Sequence, residues 1–185
     1  MGYAIAESLA REGADVVLVS GPVNMKVYHP DIVLVKVRSA SEMYKECIKV
    51  FADCDGAILA AAVADFTPAR VSGTKIKRGS DNLRIELEPT EDIAAELGRQ
   101  KKKGQVLAGF ALETDNEKEN ALRKIENKNL DFIVLNKLKE EGSGFGVETN
   151  KVTIINSCKF FTKYELKPKT EVAEDIVNYL AEYYK

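Results

Sequence analysis

Three groups of side chains could meet a polyanion. Lys75, Lys77 and Arg78 lie in Gly73-Thr74-Lys75-Ile76-Lys77-Arg78-Gly79, a basic stretch bounded by glycines. Cations on a mobile loop can close over a phosphate chain and neutralise charge growing on a reacting phosphoryl group; a solvated hairpin tip is the plain alternative. Lys124 and Lys128 are four residues apart, so on a helix both ammonium groups share a face and can reach one anion, or one patch of solvent. Asp65 follows Ala61-Ala62-Val63-Ala64. Small side chains there let a base or ribose approach the backbone, and the carboxylate can hold a magnesium ion bridged to phosphates. Tight packing that ends in a turn aspartate is the competing explanation.

Other chemistries are poorly provided for. His29 is the single histidine, set beside Pro30 with no supporting motif, so a Ser/His/Asp triad has little to build on. Cys47, Cys54 and Cys158 are odd in number and contain no CxxC pair, which argues against a disulfide framework or a zinc site and favours buried, inert thiols in a reducing cytosol. The net charge of −2 gives no global pull toward nucleic acid or a membrane surface. No apolar run reaches the roughly 20 residues of a membrane span, and no signal-peptide pattern opens the chain. The expected location is cytoplasmic.

The elements that must position these groups alternate between helix and strand, within one expected domain over 1–185. Gly2 to Gly13 has helical spacing with a glycine at its end, and Asp15-Val16-Val17-Leu18-Val19-Ser20 is a β-branched run of the kind buried on both faces of a parallel sheet. Ile32 to Val37 gives a second strand. Ser39-Ala40-Ser41-Glu42 is a capping box for a helix from Met43 to about Ala52, and Gly56 to Val63 a third strand. Pro68 halts regular structure there. The span from about 66 to 88 reads as a flap or hairpin, with Leu83, Ile85 and Leu87 alternating as in a short strand.

Thr90 is the expected cap of a helix ending near Gln100. Gln105 to Ala111, Asp131 to Leu135, Lys151 to Ile155 and Lys159 to Leu166 follow as strands, with a helix over Asn116 to Lys128 and a last one capped by Thr170. The fold class is α/β: Rossmann-like, doubly wound, mostly parallel, and without the strand and glycine turn that normally lead such a domain. In such a sheet the ligand lies beyond the carboxyl ends of the strands. Ser20-Gly21-Pro22, Ala61 to Asp65, Phe110, Glu113 and Asn136 all fall there.

Six blocks in this order and spacing resemble bacterial phosphopantothenate–cysteine ligase: Met1-Gly2-Tyr3-Ala4-Ile5-Ala6, Val17-Leu18-Val19-Ser20-Gly21-Pro22, Ala61-Ala62-Val63-Ala64-Asp65-Phe66, Lys75-Ile76-Lys77-Arg78, Gly109-Phe110-Ala111-Leu112-Glu113-Thr114 and Lys128-Asn129-Leu130-Asp131. The resemblance implies a CTP- and Mg²⁺-dependent enzyme that converts the carboxylate of 4′-phosphopantothenate into an acyl-cytidylate and passes it to cysteine. It implies base and ribose against Leu59, Ala60 and Ala61, Ala62 beside the reacting centre, Asp65 on nucleotide or metal, and Lys75 as catalytic lysine. Glu91, Asp92, Ile93 and Ala94 would touch CTP from a helix start, Phe110 would wall the nucleotide, and Lys124 and Lys128 would bind its phosphates. Glu91 and Arg78 stand where relatives often have proline and lysine. The family's first strand, its glycine-bearing loop and an asparagine that contacts the intermediate lie upstream of the point matched by Met1. A homodimer is implied, as is a flavin-dependent decarboxylase ahead of this region in a longer protein.

Two other readings compete. A short-chain dehydrogenase would share the first helix and strand, but Ser20-Gly21-Pro22 offers neither an acid for a ribose hydroxyl nor a base for a 2′-phosphate, and no Tyr-x-x-x-Lys occurs. A nucleotide-binding module without chemistry is the other.

Overall fold

The computed structural model describes residues 1–78, 82–113, 117–137 and 147–185, and only the backbone of Glu113, Glu117 and Lys137. Helix α1 (Gly2–Arg11) buries Tyr3, Ile5, Ala6 and Ala10. It ends where Gly13 takes a φ of 90°, a left-handed conformation open to glycine, so that Ala14 N can donate back to Leu9 O at 3.1 Å. Strands β1 (Val16–Ser20) and β2 (Ile32–Lys36) pair in parallel as a two-stranded sheet. Helix α2 (Ala40–Phe51) begins three residues earlier than the capping box suggests. Ser39 Oγ accepts from Glu42 N at 3.1 Å, while Glu42 reaches back to accept from Arg38 N rather than from Ser39 N.

Strand β3 (Gly56–Leu59) is half the length expected. Only Gly56 to Leu59 have partners, on β6 (Val106–Glu113), so Ala60 to Ala64 leave the ladder and form an irregular rim. The flap is anchored by β4 (Phe66–Pro68) against β5 (Leu87–Pro89), antiparallel. The paired residues are 87–89, not the expected 83–87. The flap's Gly79 lies outside the described residues, as do Thr114 and Asn116.

Helix α3 (Ile93–Gln100) precedes β6, and α4 (Glu117–Asn127) leads to β7 (Phe132–Lys137), which places Asn136 within a strand rather than after one. The chain closes with β8 (Thr149–Asn150), β9 (Val152–Asn156), β10 (Phe161–Lys163), β11 (Lys167–Pro168) and α5 (Lys169–Ala181). Pro168, not Thr170, is the residue before the first turn of α5, and it supplies no side-chain cap.

The five-stranded sheet has the order β10-β9-β7-β6-β3, parallel across β3, β6 and β7 and antiparallel at β9 and β10. Both faces are covered. Ile5 of α1 with Val172 and Ile176 of α5 packs on Val106, Val134 and Ile154. On the opposite face Phe51, Leu97 and Ile125 from α2, α3 and α4 pack on Leu107, Ile133 and Ile155. Each such fully buried Ile, Leu or Val contributes about 2 kcal/mol relative to exposure, so these strands read as continuous apolar runs. The two-stranded sheet departs from that rule. Val17 is 40% and Val33 61% exposed, because the helices reach only part of that sheet.

The thiols also differ from expectation. Cys47 and Cys54 are half-buried, and burial first, then Glu46, pushes the Cys47 thiol up to about 11. Cys158 is exposed, and all three are free.

Candidate active site

The carboxyl ends of β1 and β3 and the amino ends of α1, α3 and the flap meet at one large cavity of about 1920 Å³. Leu59, Ala60, Ala61, Ala62 and Asp65 form its rim from β3 onward. Glu91, Asp92, Ile93 and Ala94 enter from the start of α3, Phe110 from β6, and Lys124 and Lys128 from the end of α4. The residues just named line a single space, and Lys77, Arg78 and Asn136 do not join them. Nor does Lys75: it stands on the flap, exposed, and is not part of the wall.

Local chemistry fixes this rim. Thr90, expected as a helix cap, instead donates its hydroxyl to Ala64 O at 2.7 Å and its N–H to Asp65 O at 3.0 Å, holding the stretch that carries the exposed Asp65. The cap of α3 is Asp92, whose Oδ1 accepts from Ala95 N at 3.0 Å. Across the rim, Tyr3 Oη donates to Ser20 Oγ at 3.0 Å, and Ser20 Oγ donates to Gly21 O, so α1 is tied to the end of β1.

Lys128 is engaged by a carboxylate from α3. Lys128 Nζ lies 2.8 Å from Asp92 Oδ2 and 3.1 Å from Oδ1, so one cation at the cavity already has a carboxylate. Burial alone would raise the Asp92 carboxyl, but hydrogen bonds from Lys128 and from Ala95 N outweigh it and hold the group below the ordinary carboxylate range. Two features missed from the sequence place Lys128. A Cβ on Gly98 would fall 1.9 Å from Lys128 O, so α3 touches the end of α4 backbone to side. Asn129, at a φ of 49°, donates its Nδ2 to Gly98 O at 2.9 Å. A glycine within an otherwise helical stretch was the available signal.

Because the folded Asp92 carboxyl sits below its unfolded value, its contribution to stability is complete above the unfolded pKa and disappears as pH falls through the folded one. Asp92→Ala loses the cap and the ion pair, and is expected to cost about 1 kcal/mol at neutral pH. Asp92→Asn keeps a capping oxygen and loses only a half-exposed pair, for less than about 0.5 kcal/mol. Urea unfolding at pH 7 and pH 3 checks both. A wild-type-to-Ala difference that does not shrink in acid rejects this account.

Among the described residues no group of three or more His, Cys, Asp or Glu could hold a metal. A lone carboxylate such as Asp65 still fits magnesium of the kind that takes one or two protein carboxylates and draws its other ligands from phosphates and water. No helix among the described residues is long and apolar enough to cross a membrane.

Residues 1–184 match the family described as the DNA/pantothenate metabolism flavoprotein C-terminal domain. The chain is 57% identical over 177 residues to a cysteine/cysteine sulfinic acid decarboxylase from an unknown prokaryotic organism, covering 96% of this chain and 49% of that protein. It is 40% identical over 181 residues to the coenzyme A biosynthesis bifunctional protein CoaBC of Bacillus subtilis (strain 168), covering 98% and 44%. The crystal structure of the C-terminal domain of a CoaBC protein superposes with a TM-score of 0.80 at 35% identity, over 96% of this chain and 79% of that one. The chain spans about half the length of these curated relatives.

Proposed function

Since the chain belongs to the DNA/pantothenate metabolism flavoprotein C-terminal domain family, we propose that it is the nucleotide-binding body of a phosphopantothenate–cysteine ligase acting in coenzyme A biosynthesis. The observation that carries the proposal is the meeting of Leu59 to Ala62, Asp65, the start of α3, Phe110 and the α4 lysines around one cavity. In the proposed reaction the phosphopantothenate carboxylate attacks the α-phosphorus of CTP, and the bond to pyrophosphate breaks. The cysteine amine then attacks the acyl carbon, loses a proton, and CMP departs with the bonding electrons.

Each residue then has a task. Leu59, Ala60 and Ala61 give base and ribose close access to backbone, and Ala62 keeps the space beside the reacting phosphorus open. Lys124 and Lys128 offset triphosphate charge, and for Lys128 that means sharing or exchanging Asp92. Glu91, Asp92, Ile93 and Ala94 border the nucleotide, with the α3 amino end adding partial positive charge. Asp65 would hold magnesium, which supplies charge for the departing pyrophosphate. Lys75 reaches the site when the flap moves or when it is given by a second protomer.

A homodimer accords with the apolar side chains the flap leaves exposed, namely Phe66, Val71, Ile76, Leu83, Ile85 and Leu87. The flavin-dependent decarboxylase would lie in the remaining half of the longer protein, which also accommodates the decarboxylase name of one relative.

Thermal unfolding with CTP, ATP and NADH, each with magnesium, tests the proposal. CTP at about 100 times its Kd stabilises by about 2.7 kcal/mol, a rise of roughly 5–11 °C for a chain of this size. Pyrophosphate release on adding phosphopantothenate separates a ligase from an inert binding module. Stabilisation by NADH and not by CTP, or carbon dioxide release from cysteine sulfinate by this chain, rejects the assignment.

A further inference from the structure

In the stretch Lys128-Asn129-Leu130-Asp131, only Lys128 has a task in the proposed reaction. Asn129 and Asp131 do not border the cavity, yet both are tied to the carboxyl end of the helix that starts at its rim. Lys101, the residue after α3, donates its ammonium to Asp131 Oδ1 at 3.1 Å, to Asp131 Oδ2 at 3.0 Å and to Asn129 O at 2.6 Å. A lysine ammonium has three N–H donors, so these bonds account for all of them. Asp131 Oδ2 also accepts from Leu107 N at 2.7 Å, which ties the pair to β6. The Lys101 side chain is 12% exposed and that of Asp131 24%, so salt and water screen this pair less than a surface one.

Between Lys128 and Asp131 the backbone takes a shape that needs holding. Asn129 sits at a φ of 49°, left-handed backbone that costs most side chains energy and persists where the surroundings fix it. Two contacts fix it: Lys101 on its carbonyl, and Gly98 O, which accepts from Asn129 Nδ2 at 2.9 Å. The residues that follow Lys128 therefore grip the carboxyl end of α3, while Lys128 itself reaches Asp92 at the amino end, 2.8 Å away. The helix has eight residues and is about 12 Å long. Over that length a turn of roughly 10° between α3 and the 128–131 connection parts Lys128 from Asp92 by about 2 Å, more than a hydrogen bond tolerates.

We propose that Lys101 and Asp131 are positioning residues for Lys128. By fixing the Asn129 backbone against the end of α3, they aim the Lys128 ammonium along that helix to its amino end, where the proposed triphosphate lies. The inference rests on the ligase reading for the identity of the anion, whereas the aiming of Lys128 at Asp92 does not. Ile93 and Leu97 seat α3 in the core by separate, apolar contacts, so losing the Lys101 ammonium redirects Lys128 on a folded chain. An ion pair that only added stability would leave Asp92 and Lys128 of the folded molecule as they are.

Lys101→Met, which keeps an apolar stem and removes the charge, tests this through two readouts. In the first, carbon-13 NMR follows the Asp92 carboxyl through an acid titration of the folded chain. Burial raises that carboxyl, and the hydrogen bonds from Lys128 and Ala95 N lower it, so losing the Lys128 bond moves it upward. Lys128→Met sets the full size of that shift, and Lys101→Met is expected to give most of it. The second readout is calorimetric binding of CTP with magnesium. Lys101→Met raises the Kd about tenfold, and changes it by less than about twofold in the Lys128→Met background. Asp131→Asn, which can still accept from Leu107 N, shifts both readouts in the same direction and stands in if the first variant does not fold. Lys103→Ala, exposed in the same basic run, changes neither. An Asp92 carboxyl that titrates as in the wild type in the folded variants overturns the proposal, as does an equal loss of CTP affinity with and without Lys128. If the Asp92 shift appears but the wild type binds no CTP, the ligase reading fails and the positioning role stands; if CTP binds and Asp92 does not move, the reverse holds.

Discussion

Gly98→Ala is expected to cost about 3 kcal/mol and to lower the thermal midpoint by roughly 6–12 °C. The added methyl would fall 1.9 Å from Lys128 O and 2.7 Å from its carbonyl carbon, atoms of backbone that cannot rotate aside. Either α3 withdraws from the end of α4, breaking the bond from Asn129 Nδ2 to Gly98 O, or the last turn of α4 unwinds. Both responses carry Lys128 away from Asp92. The variant should therefore lose stability and most of its stabilisation by CTP together. Arg99→Ala, one residue further on an exposed face, loses only a solvent-facing pair with Glu96 and is the control, expected to keep the wild-type midpoint and its response to CTP. Differential scanning calorimetry with and without CTP decides it, and a Gly98→Ala midpoint within 2 °C of wild type would rule out the close contact.

Lys75→Ala carries the second large effect, on rate rather than on folding. If Lys75 neutralises charge only as the phosphoryl bond breaks, its loss lowers pyrophosphate release by about 10²–10³-fold while the CTP-induced rise in midpoint hardly changes. Lys124→Ala and Lys128→Ala should behave oppositely, weakening CTP binding before they affect turnover. The split follows from position: both α4 lysines border the cavity, whereas Lys75 stands on the exposed flap and must be delivered. The measurement uses the chain, or the longer polypeptide if the chain alone only binds. A Lys75→Ala loss below about threefold, or an equal loss of binding and turnover, removes Lys75 from the reaction.

Much of the frame was legible in the sequence because burial leaves a simple mark. The runs at 106–111 and 132–135 are apolar throughout, as strands covered on both faces must be, and they form in the expected order. Ser39 and Glu42 signalled a helix start through side-chain chemistry that acts within four residues. What failed depended on partners far away in the chain. Ala60 to Val63 look like strand by composition, but the ladder to β6 stops at Leu59 and Gly109, and no strand among the described residues pairs with them. Thr90 looks like a cap, yet it is drawn to Ala64, 26 residues earlier.

The same division runs through the candidate site. Helical spacing put Lys124 and Lys128 on one face and the strand's course put the alanines at its end, while the family resemblance directed both toward a nucleotide. The engagement of Lys128 by Asp92 crosses 36 residues and left no local trace. Gly98 did leave one, as a poor helix former inside a helix, but its meaning came only with the neighbour it touches.

The β1–β2 unit is held differently from the other strands. No backbone ladder fastens it to the five-stranded sheet among the described residues, so α1 and α2 retain it chiefly through side-chain packing and the Tyr3–Ser20 bond. Among the described residues, the ends of the two sheets that carry Ser20 and Ala60 are therefore set against each other by the helices over them rather than by backbone hydrogen bonds.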